Sequence, residues 1–233
     1  MVESWYDIST NELPIVRYKD RIIHYAHIPK GGGTSIFRYL LQLKNVHLCF
    51  YDEQYIGMPS DYMWNLTSPQ HIDGHSLARL FPVNFIDEFI AIVRDPISKI
   101  KSAYAFQRIV EGNIHDKMTI DQFIKDVLIH RHLELGWMDN HFLPQRQFLY
   151  PGVVYSIFKI ELCGLINAKN HLDQTFFGRD SQIPIPHSNQ SNVVMPPKLF
   201  VELTILSDES VEIIHQLYHS DYELLDYKLT DQE

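Results

Sequence analysis

The chain has few of the residues that mark several classes of protein. Only two cysteines, Cys49 and Cys163, occur in its 233 residues. That is too few for a disulfide framework, and no CxxC metal-binding pattern is present. The two cysteines could form one bridge, but we expect two free, buried thiols.

Basic residues are also scarce. The chain has 20 Lys and Arg against 29 Asp and Glu, a formal charge of −9 at pH 7. Nucleic-acid binding rests on many contacts between cations and phosphates, so this balance argues against a general nucleic-acid binder. It does not exclude a small anionic ligand, because a pocket is governed by its local field.

Long apolar runs are absent from the sequence. No stretch approaches the roughly 20 apolar residues of a membrane helix, and Met1 to Ser9 lacks the basic and apolar parts of a secretory signal. We therefore expect a cytoplasmic protein without a membrane anchor. Hydrophobic residues make up 45% of the chain, as is ordinary for a globular protein, and the length fits a single domain, residues 1–233.

Strands and helices are predicted to alternate. The apolar run within Arg21 to Ile28 is typical of a strand buried on both faces. This alternation predicts an α/β fold, a P-loop-like three-layer sandwich with a central parallel sheet flanked by helices, whose ligands bind beyond the carboxyl ends of the strands. The further predicted strands are Phe85 to Val93 and Val153 to Phe158, and the predicted helices are Ile36 to Leu43, Ile97 to Val110, Thr119 to His130 and Ser207 to Leu217.

A glycine-rich loop follows the first strand. It reads Pro29-Lys30-Gly31-Gly32-Gly33-Thr34-Ser35. Glycines let the backbone approach an anion closely, and the amides of the following helix start are donors for it. Lys30 precedes the glycines, whereas the GxxxxGK[ST] loop places its lysine after them. The alternative is a flexible turn, but three glycines between a buried strand and an amphipathic helix exceed what a hinge requires.

A second motif ends the second predicted strand. Arg94 is followed by Asp95 and Pro96, which are typical of a helix start, and Ser102 lies about two turns further on. Arginine at a strand end can bind phosphate through two parallel hydrogen bonds. Whether Ser102 reaches the same phosphate depends on how the helix crosses the sheet.

Together, the two motifs resemble the PAPS-dependent sulfotransferases, in particular the carbohydrate branch related to heparan sulfate 2-O-sulfotransferase; PAPS is 3′-phosphoadenosine-5′-phosphosulfate. That family has threonine where Gly31 stands here. The resemblance extends through Asn140 to Gln145, Phe158 to Glu161 and Asp221 to Tyr227. It implies sulfuryl transfer from PAPS to an acceptor hydroxyl, expected to be on a carbohydrate, with no metal.

The resemblance also implies roles for individual residues. Lys30 would neutralise charge during transfer, and the loop from Gly31 through Gly32, Gly33 and Thr34 to Ser35 would hold the 5′-phosphosulfate. Arg94 and Ser102 would hold the 3′-phosphate. The segment His187 to Ser191 is similar to a loop that closes over the nucleotide in relatives, which makes Asn189 and Ser191 candidate contacts; a polar surface loop is the alternative.

A base must also accept the proton of the acceptor hydroxyl. Among 13 histidines, His75 follows Gly74 just before the second strand, where the relatives have a Gly-His pair that supplies the base, so His75 is the predicted base. A structural histidine is one alternative. A metal site with His71 is another, but the HExxH glutamate and a third ligand are missing. His141 is predicted to contact the acceptor.

Two other functions remain open. One is a P-loop kinase or nucleotidase that uses ATP, against which the position of Lys30 counts. The other is a nucleotide-binding module that has lost catalysis, against which the retention of Lys30, Arg94, Ser102 and a candidate base counts.

Overall fold

The computed structural model describes residues 14–50, 52, 55–186 and 195–229, and in it helices flank a five-stranded sheet with the order β3-β1-β2-β4-β5. β2, β4 and β5 are parallel, whereas β1 is antiparallel to both β2 and β3. The strands are β1 (Ile15–Tyr18), β2 (Arg21–Ala26), β3 (Val46–Cys49), β4 (Glu88–Val93) and β5 (Ser156–Lys159).

The α/β prediction is confirmed, but the sheet is mixed, so the expectation of a wholly parallel sheet is wrong. β1 and β3 are only four residues long, too short for a periodic signal. The turn between β1 and β2 places Lys19 at φ 54 instead of using a glycine, so the usual hairpin signal is also missing. The P-loop-like character of the fold stays a prediction.

The helices follow the predicted pattern closely near the motifs. Their bounds are α1 (Gly33–Leu40), α2 (Gly74–Leu80), α3 (Pro96–Ile109), α4 (Ile120–Phe123), α5 (Ile129–Arg131), α6 (Gly164–Phe177), α7 (Pro197–Leu203), α8 (Asp208–Leu217) and α9 (His219–Leu224). A π-helical segment, Ile124–Leu128, joins α4 to α5. α3 begins at Pro96, one residue before the predicted start at Ile97, and Asp95 caps it as predicted, accepting a hydrogen bond of 2.8 Å from the Ser98 amide.

The central strands are buried on both faces, as the apolar runs predicted. Alternate residues point to opposite sides of a strand. Ile23 and Tyr25 of β2 therefore pack in one cluster with residues of α1 and α6, whereas Ala26 belongs to a second cluster on the other face, with Ile72 and Leu77. This double burial fixes the positions of the strand ends.

The two cysteines depart from expectation in one respect. Both are free, but Cys49 at the end of β3 and Cys163 just before α6 are exposed, so the prediction of buried thiols is wrong. Within the described ranges, no helix has the length and apolarity needed to cross a membrane.

Gly74 lies at the start of α2, where the helix packs closely against the backbone of Leu149. A Cβ on Gly74 would lie 1.9 Å from the Leu149 carbonyl oxygen, whereas one on Gly57 would meet no atom within 4 Å. Because the backbone of Leu149 cannot move aside as a flexible side chain can, we expect Gly74→Ala to lower the free energy of unfolding by about 1–3 kcal/mol.

Urea unfolding measures the effect, and Gly57→Ala is the matched control, expected to change stability by no more than about 0.5 kcal/mol. Equal urea midpoints for the two variants would contradict the close approach of α2 to Leu149.

Candidate active site

A cavity of about 840 Å³ lies where the parallel strands β2 and β4 end. The loop after β2 leads into α1, and Asp95 after β4 leads into α3, so two helix starts face the same edge of the sheet. Ligands of such sheets bind at this edge. The volume suits a nucleotide-sized ligand together with part of a second molecule.

Most of the residues singled out by the sequence meet in this cavity. Those that line it are Lys30, Gly32, Gly33, Thr34, Ser35, Arg94, Ser102 and His141. Gly31 does not line it; Gly31 is buried, and a Cβ there would lie 2.9 Å from the Ile92 carbonyl oxygen, so glycine is needed for the loop to pass close to β4. Asn189 and Ser191 lie outside the described residues.

Lys30 and Arg94 are brought together at the ends of β2 and β4. The Arg94 guanidinium donates a hydrogen bond from Nη1 to the Lys30 carbonyl oxygen, 3.4 Å away. Burial, with a smaller contribution from the Arg94 charge, lowers the pKa of Lys30 to about 8. Neither side chain forms an ion pair with another described residue. Two adjacent, partly desolvated cations of this kind form a site for an anion.

The backbone of Arg94 is held by Gln145. The side-chain oxygen of Gln145 accepts from the Arg94 amide at 2.9 Å, and its nitrogen donates to the Arg94 carbonyl at 2.7 Å. Asp221 in turn accepts from the amides of Gln145 and Arg146, and Glu161 accepts from the Asp95 amide at 2.8 Å. Three segments that supported the resemblance therefore converge on the arginine.

Phe106 and His141 form a wall beside Lys30. The Lys30 ammonium lies 4.0 Å from the centroid of the Phe106 ring, an arrangement in which the ring quadrupole attracts the cation. Phe106 also stacks on His141, with ring centroids 5.2 Å apart. The sequence analysis missed Phe106, although it follows Ser102 by four residues and so shares its face of α3.

A histidine–aspartate pair completes the site. His71 shares a hydrogen bond of 2.6 Å between its Nδ1 and Asp139 Oδ2. Burial raises the pKa of Asp139, but the charge of His71 and hydrogen bonds from His71 and Ser68 outweigh it and hold the pKa below its ordinary value. Because Nδ1 is engaged, Nε2 is the ring nitrogen of His71 that remains to accept a proton.

The backbone that presents Asp139 is in an uncommon conformation. Met138, Asp139 and Asn140 have φ values of 45, 51 and 60, in the left-handed region that costs free energy for residues other than glycine. Asn140 stabilises this turn, since its Oδ1 accepts from the Gly136 amide and its Nδ2 donates to the His71 carbonyl, both at 2.9 Å. Sequence patterns did not indicate His71 and Asp139 as a pair because 68 residues separate them.

Two further histidines in the cavity stay neutral. Burial lowers the pKa of His27 to about 3, and burial together with the charges of His71 and Lys30 lowers that of His141 well below its ordinary value. His141 shares a hydrogen bond of 2.8 Å between its Nδ1 and the Met138 carbonyl, so its Nδ1 is the donor and its Nε2 can accept one.

His75 is not brought to the cavity. It lies exposed in the first turn of α2 and is not among the lining residues, whereas His71, four residues earlier, is. The role of His75 as base stays a prediction that receives no support from the cavity. Within the described ranges, no cluster of His, Cys, Asp and Glu has an arrangement suited to a metal ion.

A family model described as "Sulfotransferase family" matches residues 14–228, which is most of the chain. The chain belongs to the sulfotransferase family. Neither the curated proteins nor the solved structures include a match to it. Members of this family transfer sulfuryl groups, generally from PAPS, to an acceptor that bears a hydroxyl.

Proposed function

We propose that this sulfotransferase moves the sulfuryl group of PAPS directly to an acceptor hydroxyl, with no covalent enzyme intermediate. The observation that carries the proposal is that Lys30 and Arg94 line one cavity, with the Arg94 guanidinium hydrogen-bonded to the Lys30 carbonyl, and that neither forms an ion pair with a described carboxylate. PAPS has two separate anionic groups, and we assign a different part of the cavity to each. A carbohydrate as the acceptor remains a prediction of the sequence resemblance.

The proposed donor side uses the glycine loop and the start of α3. The amides at the start of α1 and the hydroxyls of Thr34 and Ser35 bind the 5′-phosphosulfate, where the helix dipole favours negative charge. Arg94 and Ser102, which line the same cavity, bind the 3′-phosphate. Lys30 neutralises the charge that develops on the bridging oxygen as the S–O bond to the phosphate breaks.

On the acceptor side, we assign the base to His71. His71 accepts the hydroxyl proton at Nε2 as the acceptor oxygen forms its bond to sulfur, and the products are the sulfate ester and adenosine 3′,5′-bisphosphate. Asp139 accepts a hydrogen bond from Nδ1 of His71 and so holds the ring in the tautomer that presents Nε2 to the hydroxyl. His141 cannot readily take the proton because its charged form is disfavoured, so it contacts the acceptor as a neutral ring and leaves the single proton of the reacting hydroxyl to His71.

Isothermal titration calorimetry with adenosine 3′,5′-bisphosphate tests the donor side. Arg94→Ala removes a partly buried charge and is expected to weaken binding by at least about 30-fold. Arg79→Ala, an exposed arginine of α2 outside the cavity, is the control and should bind as the wild type does.

Tighter binding of ATP with magnesium than of the bisphosphate would favour a kinase-like enzyme. Binding of PAPS without transfer to any of a broad panel of acceptors would favour a non-catalytic module.

The lowered pKa of Lys30 predicts how donor binding depends on pH. The bisphosphate binds the charged amine, so affinity is expected to be constant near pH 7 and to fall above pH 8 by up to about tenfold per pH unit, as Lys30, with its pKa of about 8, loses its proton. The phosphates of the ligand have a second pKa of about 6, so they are almost fully ionised above pH 7 and contribute little to this pH dependence.

Calorimetry between pH 7 and about 9.5 measures this slope. Lys30→Arg is the control, because arginine keeps its charge throughout; its affinity should stay flat. The same slope in both proteins would show that Lys30 is not the titrating group.

Comparison of two histidine variants identifies the base. His71→Ala is expected to lower kcat by about 100-fold or more, the usual contribution of a general base, while leaving bisphosphate affinity within about twofold. His75→Ala should retain a rate close to that of the wild type because His75 lies outside the cavity. Release of bisphosphate with an acceptor that the wild type uses gives both rates. A large loss of rate in His75→Ala, with a near-normal rate in His71→Ala, would instead assign the base to His75.

A further inference from the structure

The cavity has two sides that come from different parts of the chain. The donor side is built from the loop at Lys30 to Ser35, from Arg94 and from Ser102. The acceptor side, around His71, comes from 56–71 and 136–141. These two segments hold each other, since Asp139 accepts hydrogen bonds of 2.7 Å from the Ser68 amide and hydroxyl. A Cβ on Gly136 would lie 2.8 Å from the Leu66 carbonyl.

The acceptor side is apolar beyond His71 and Ser68. Its lining includes Ile56, Met63, Leu66 and Met138. Ile56 is 49% exposed and Leu66 is 68% exposed, so these side chains are open to a ligand rather than committed to the core. Apolar side chains left exposed along the wall of a cavity are typical of a binding surface for an apolar group.

Neither segment of the acceptor side, 56–71 or 136–141, contains Lys or Arg. Every Lys and Arg of the chain lies within the described residues, and of these only Lys30 and Arg94 line the cavity. Both are on the donor side. The acidic residues Glu111 and Asp139 also line the cavity, and the chain has a net charge of −9. Because the proposed donor occupies both cations, a polyanionic acceptor would meet the carboxylate of Asp139 with no cation of the acceptor side to compensate.

We infer that the acceptor is a neutral alcohol with an apolar group close to the reacting hydroxyl, and not a polyanionic glycan. The inference rests on the proposed function, because it assumes that the hydroxyl approaches His71. The apolar group then lies against Ile56, Met63, Leu66 and Met138, while the hydroxyl donates its proton to His71. This acceptor class differs from that of the heparan sulfate enzyme to which the motifs are similar.

Matched acceptors test the inference. The rate of bisphosphate release from PAPS is measured with octyl β-glucoside, 1-octanol, methyl β-glucoside, octyl β-glucuronide and heparosan. The two neutral octyl compounds are expected to exceed methyl glucoside and the two anionic acceptors in kcat/KM by at least about tenfold, because the octyl chain removes apolar surface from water. A preference for heparosan, or equal values for methyl and octyl glucoside, would overturn the inference.

A binding measurement covers the case in which none of these hydroxyls is correctly placed for transfer. Octyl glucoside and 1-octanol are titrated into the protein saturated with adenosine 3′,5′-bisphosphate. If octyl glucoside or 1-octanol binds while methyl glucoside and heparosan do not, the inference is supported. If neither octyl compound binds, the inference is overturned. Binding of the bisphosphate itself reports on the donor side, so a failure of the proposed function is seen separately.

Two leucine variants place the apolar group in the cavity. Leu66→Gln is expected to raise the KM, or the Kd, for octyl glucoside by at least about tenfold, with bisphosphate affinity unchanged because glutamine adds no charge. Leu80→Gln makes the same change at a leucine of α2 that is 48% exposed and does not line the cavity, so it should have no effect. Equal KM or Kd values for octyl glucoside in the two variants would show that the apolar group does not bind against Leu66.

Discussion

Two cations that lie close together, Lys30 and Arg94, and that form no ion pair with a described carboxylate, are the constraint on which the rest of the site depends. They follow the adjacent parallel strands β2 and β4, and desolvation opposes the charge on both. Their mutual repulsion is tolerated because double burial of β2 and β4 fixes both strand ends. An anion that binds only the folded protein would relieve this repulsion and stabilise the fold.

Much of the surrounding polar structure holds these cations and the facing histidines in place. Gln145 binds the backbone of Arg94, and Asp221 binds the amides of Gln145 and Arg146. Lys99, fully buried on α3, donates to the carbonyls of His141 and Leu143 at 2.8 and 3.0 Å. Buried groups satisfied in this way make the positions of the catalytic candidates rigid, because any shift would leave a polar atom unpaired.

Backbone strain is concentrated at the same cavity. Lys30 has a φ of 66, and the turn at Met138 to Asn140 has three successive left-handed residues. Neither position uses glycine, which would adopt these angles at little cost. In the proposed mechanism Lys30 supplies a cation and Asp139 a carboxylate, which glycine could not, so the side chain would outweigh the local preference of the backbone.

Local sequence was enough to predict several features of this protein. A strand, a loop and a helix are adjacent in the chain, so apolar periodicity and glycine spacing predicted β2, the Lys30 loop and α1, as well as β4, Asp95 and α3. Ser102 could be placed on α3, but only the crossing of that helix decided that it lines the cavity.

Tertiary structure alone decided the partners of the cations and the choice between histidines. His71 meets Asp139 across a separation of 68 residues, and no local pattern distinguishes His71 from His75, although one lines the cavity and the other is exposed. The antiparallel pairing of β3 with β1 and the apolar wall beside His71 also depend on contacts between segments that are distant in the sequence. Composition and spacing along the chain report which groups are available, whereas packing of distant segments determines which of them face each other.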